Sequence, residues 1–158
     1  MSKIYGVLAG SALVGAVTGW MARALWLWAV AQDERSCADS VTLCFTFYPL
    51  AGIGLWMFLS APVLAFGLWL LGVRPVKGKV AASLALQWFL IAVLAGVSRD
   101  DLPASMALNV GVMAPAPALV VLCADPARRT VGQIAVGALV AVSLFLVWLS
   151  THVTGFFL

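Results

Sequence analysis

Arg74-Pro75-Val76-Lys77-Gly78-Lys79 places three cations within six residues of a chain that is 64% apolar and holds only nine Lys and Arg in 158 residues. Neither the run before it, Tyr48 to Leu71, nor the run after it, Val80 to Val97, carries a charge. A short basic connector between two apolar runs resists translocation and stays in the cytoplasm. Fixing it there fixes the direction of every other apolar segment.

The bulk composition agrees with a lipid-dissolved chain. Charged residues make up 9% and the mean hydropathy is +1.09, whereas about a quarter of the residues of a soluble domain are charged. Water cannot be the solvent for this much apolar surface. The net charge of +3 sits in short connectors, so it reports orientation and excludes nucleic acid as a partner. Abundant Ala, Val, Leu and Gly, with Arg exceeding Lys, point to a bacterial plasma membrane.

Working outward, five apolar runs emerge, at about 4–31, 48–71, 80–97, 106–123 and 131–150. Lys3 before the first run resembles a signal-peptide start. The run is too long for that, and Arg23 lies inside the would-be cleavage motif, so a retained span is expected. Ser11, Gly15, Thr18, Gly19 and Ala22 share one face of it and predict close helix–helix packing, with a homodimer seam as the other reading. Trp20, Trp26 and Trp28 around Arg23 mark an interface. Pro49 suits the first turn of the second span and Pro62 predicts a kink. Gln87, near the middle of the third span, needs a partner across the bundle. In the fourth run, Pro115 and Pro117 free the carbonyls of Gly111 and Met113, which lipid cannot satisfy. This run reads as a kinked span, with a re-entrant segment as the alternative. Asp125-Pro126 reads as the start of the fifth helix, and Gly137, Ala138 and Ala141 offer it a small-residue face.

The outer loop, 32–47, holds Cys37 and Cys44. Outside the cytoplasm such a pair is expected to be bridged, with unpaired, metal-binding or redox-active cysteines as alternatives. The Cys-x-x-Cys spacing of redox pairs is absent. Lys3, Arg74, Lys77, Lys79, Arg128 and Arg129 then fall inside, and Arg23, Arg35 and Arg99 outside. The expected fold is therefore an all-α, polytopic transmembrane helical bundle of five spans, N-terminus cytoplasmic and C-terminus extracytoplasmic.

Function is constrained mainly by what is missing. No Asp, Glu, Lys, Arg or His occupies the centre of a run, which disfavours proton-coupled carriers, pumps and voltage sensors. No catalytic, cofactor-binding or metal-binding motif is present, so none of those roles is expected. The lone His152, at a membrane edge, reads as a solvated group. The claudin signature is not met either, because Gly54-Leu55-Trp56 follows both cysteines instead of preceding them. Two readings follow. One is a non-enzymatic scaffold or accessory subunit, with a membrane-protein partner or in a homo-oligomer. The other is a passive channel or carrier for a neutral or hydrophobic solute, lined by Ser60, Gln87, Asn109, Ser143 and the backbone around Pro115 and Pro117. An extracytoplasmic thiol-disulfide protein is a distant third.

Overall fold

The structure, a computed structural model, describes residues 2–38, 46–98 and 106–153. Every element among them is helical: α1 (Ser2–Cys37), α2 (Tyr48–Leu70), α3 (Val76–Ser98), α4 (Met106–Met113), α5 (Pro115–Ala124) and α6 (Arg129–Val153). Helices α1, α2, α3 and α6 are long and apolar enough to cross a membrane, and α4 with α5 forms a shorter apolar pair.

Helix α1 packs against α2 on one flank and α4 and α5 on the other. Its 36 residues come to about 54 Å, well beyond a ~30 Å hydrocarbon core. Residues 32–37, expected in the outer loop, are its last turns. The stem of that loop is held by Thr46, whose hydroxyl donates to the Asp33 carboxylate. Trp28 also meets Tyr48 edge-on, with ring centroids 6.3 Å apart.

At the other end α2 stops on Gly72, whose φ of +73° is open to glycine without strain. The N–H of Val73 bonds the carbonyl of Leu68, and that of Gly72 bonds the carbonyl of Trp69, each at 3.0 Å. Leu68 and Val73 pack together in a buried cluster with Val121. This pairing of crossed hydrogen bonds with an apolar contact is a Schellman cap. It reverses the chain within a few residues, so α3 already begins at Val76 and Lys77 and Lys79 lie in its first turn.

The fourth apolar run is broken but not reversed. Ala114 keeps helical dihedrals (φ −52°, ψ −45°), and its N–H bonds the carbonyl of Val110 at 2.9 Å. Gly19 of α1 lies beside Asn109 and Met113, and Gly15 beside Ala114 and Pro117. Val7 and Leu8 then pack against the buried cluster that contains Val121. Residues 109–121 thus run past α1 in one direction, antiparallel to it. The helix is interrupted at Ala114 but the segment is not unwound there.

Asp125 does not start α6. It caps the end of α5 with extended dihedrals and accepts the Ala127 N–H at 3.1 Å, a local turn that competes with helix. Helix α6 begins only at Arg129.

Candidate functional site: a polar layer at the centre of the bundle

Among the described residues, seven polar side chains are buried: Ser11, Thr18, Ser60, Ser83, Gln87, Asn109 and Ser143. The helix register brings most of them to a common depth. Thr18 meets Gln87 directly, Asn109 lies against Gly19, Ser83 is one turn before Gln87, and Ser60 one turn after Trp56, which reaches Thr18. Gly132 against Cys123 fixes the register of α6, and Ser143, three turns further on, then falls at a similar level.

Thr18 is the hub. Its hydroxyl donates to the Gly15 carbonyl at 2.9 Å, which leaves its lone pairs for the Gln87 amide, Nε2 to Oγ1 at 2.7 Å. The Thr18 carbonyl accepts Nε1–H of Trp56 at 3.0 Å. Gln87 Nε2 also donates to the Met113 carbonyl at 3.4 Å. That carbonyl is the one Pro117 leaves without its helical N–H. One amide therefore ties α1, α3 and the proline break together, and the Trp56 indole adds α2.

Close backbone approach makes this possible. A Cβ on Gly15 would lie 2.6 Å from the Ala114 oxygen and 2.9 Å from the Met113 oxygen. On Gly19 it would lie 3.0 Å from Met113 Cβ. Ser11, Gly15, Thr18, Gly19 and Ala22 are all buried within this one chain. Residues of α4 and α5 lie against this face at Gly15 and Gly19.

The layer is dry. Thr18, Ser60, Ser83, Gln87 and Asn109 have 0% of their surface accessible to water. The hydroxyls of Ser11, Ser60 and Ser83, and Oε1 of Gln87, have no hydrogen-bond partner. Pro117 is buried and Pro115 partly so, while Gly111 is exposed on the outer side of the break. These groups are amides and hydroxyls, which can crosslink helices or solvate a polar solute.

The charged residues sort to the two ends. Lys3, Lys79 and Asp125 border one cleft, Lys79 Nζ donates to the Arg74 carbonyl at 2.6 Å, and the Arg128 guanidinium lies 5.6 Å from the centre of the Tyr5 ring. With Lys77 and Arg129 in the first turns of α3 and α6, all six cations expected on one side share one end. Arg23 and Arg35 lie toward the opposite end. Arg99 and Cys44 lie outside the described residues. Cys37 is the last residue of α1, and Cys123 is a free thiol.

Trp56 and Ser83 were not singled out from sequence. Both carried a signal, since Trp56 is a mid-span indole whose N–H needs an acceptor, and Ser83 shares a helix face with Gln87 at i, i+4.

No family model, curated protein or solved structure is similar to this chain.

Proposed function

We propose that this small multi-pass membrane protein is a non-enzymatic scaffold or accessory subunit of a membrane complex, in a bacterial plasma membrane. The observation that supports this reading is the closed central layer: Trp56 and Gln87 spend their donors on neighbouring helices, and Thr18, Ser60, Ser83, Gln87 and Asn109 are fully buried. What the molecule offers its surroundings is an apolar exterior. Purification in mild detergent with chemical crosslinking tests the reading. A stable complex, with a partner or with copies of itself, is expected; a strictly solitary monomer would count against it.

A second reading, a passive pathway for a neutral solute, draws on the spare hydrogen-bonding capacity of Ser60, Ser83 and Gln87 at mid-depth. Liposome flux is the measurement. Flux in wild type that falls in Gln87→Leu and Asn109→Leu would favour the pathway over the scaffold, and no flux would dispose of it.

In the proposed orientation the basic end faces the cytoplasm. Cysteine-accessibility labelling at 74–79 decides it, and labelling from outside the cell would invert the topology. The outer loop then carries a Cys37–Cys44 bridge, supported by the Asp33–Thr46 clamp that holds its stems together. Closing this loop is worth roughly 2–3 kcal/mol, so Cys37→Ser should lower the melting temperature of the non-reduced protein.

A further inference from the structure

A groove of about 440 Å³ opens on the outer face between α2 and α3. Its walls are Ala61, Pro62 and Ala65 on α2 and Val80, Ala81 and Leu84 on α3, and Lys77 stands at its mouth. Small side chains leave this space. Three alanines and a proline fill the position where the helices diverge, and Pro62 removes the N–H that would bond the Phe58 carbonyl.

The depth of the groove is set by its neighbours in sequence. Ala61 follows Ser60 and Leu84 follows Ser83, both buried in the central layer. Lys77 is the second residue of α3, at the basic end. From Lys77 to Leu84 the rise is about 10 Å, most of the ~15 Å depth of one leaflet. The groove therefore runs from headgroup level to mid-bilayer, within a single leaflet.

Its charge is one-sided. Lys77 is exposed at the mouth, and no acidic side chain lines it. Asp125, the acid at this end among the described residues, borders the separate cleft with Lys3 and Lys79. The positive N-terminal end of α3 points the same way. We infer that the groove is a binding site for one anionic phospholipid, with an acyl chain along Ala61, Ala65 and Ala81 and its phosphate held by Lys77 at the N-terminal end of α3. A zwitterionic lipid fills the same groove but gains less at the mouth, because its own ammonium offsets the phosphate. This site does not depend on the scaffold reading.

The test uses the full chain in phosphatidylcholine nanodiscs doped with phosphatidylglycerol, reading retained lipid by native mass spectrometry. One retained phosphatidylglycerol per protein is expected, in preference to phosphatidylcholine. Lys77→Gln should weaken that preference about fivefold, the effect of one surface cation near a charged headgroup. Ala81→Phe, at an exposed position, should fill the groove and abolish retention with charge unchanged. Arg129→Gln, an exposed cation at the same end but outside the groove, should have no effect. Equal losses from Lys77→Gln and Arg129→Gln would reduce the effect to bulk surface charge and overturn the site. So would full retention in Ala81→Phe, or competition by soluble glycerol phosphate. If Ala81→Phe does not fold, the Lys77 and Arg129 pair still decides.

Discussion

Helices α1 and α6 make an instructive pair. Both are long and apolar, and α6 is the more hydrophobic of the two. Yet α1 has Ser11, Gly15, Thr18, Gly19, Ala22 and Ala29 buried, while α6 buries only Gly132 and Ser143 among its described residues. In water the ranking would be reversed. In lipid an apolar side chain gains nothing by moving from acyl chains to protein, so the helix that goes inside is the one whose small residues permit close contact and whose polar groups find partners.

Leucine scanning of the two small-residue faces should break the symmetry most sharply. Gly15→Leu drives a side chain into the Ala114 and Met113 carbonyls and should cost about 3 kcal/mol or more, since backbone on both sides cannot yield. Gly137→Leu, with no atom within 4 Å of its added Cβ, should change stability by no more than about 0.5 kcal/mol. Unfolding in mixed SDS micelles measures both; equal costs would remove the distinction between the helices.

Next in size is the Thr18–Gln87 contact. Thr18→Val and Gln87→Leu should each cost roughly 1–2 kcal/mol in the same unfolding assay, and the double variant less than their sum, because both remove one bond. Strict additivity would mean that the hydrogen bond carries no stability. Trp56→Phe keeps most of the ring and loses the indole bond to the Thr18 carbonyl; about 1 kcal/mol is expected. The smallest effect sharpens the role of the proline break. Pro117→Ala returns an N–H to the Met113 carbonyl, so Gln87→Leu in that background should cost about 0.5 kcal/mol less than in wild type.

Much of this was legible in the chain. The apolar runs, the basic connector and the small-residue face of α1 follow from residue type and spacing alone. So does the reasoning that Pro117 leaves a carbonyl in search of a donor. That Gln87 supplies the donor did not follow, nor that Thr18 serves α2 and α3 at once, because these depend on helix register. Element ends also escaped. The Asp125 side chain can cap a helix or close a turn, and the choice rests on where α5 stops. Helix α1 continues six residues past the apolar run because helical hydrogen bonding does not end where hydropathy does.

By itself the sequence determined that the chain is a set of helices apolar enough to cross a membrane, with most of its cations between alternate runs, since the cost of moving charge through hydrocarbon acts on each segment locally. Which helix faces are buried, which glycines touch backbone, and which polar groups meet were decided only in the tertiary structure. Lipid provides no hydrophobic difference between inside and outside, so shape and hydrogen-bond matching between helices make that choice.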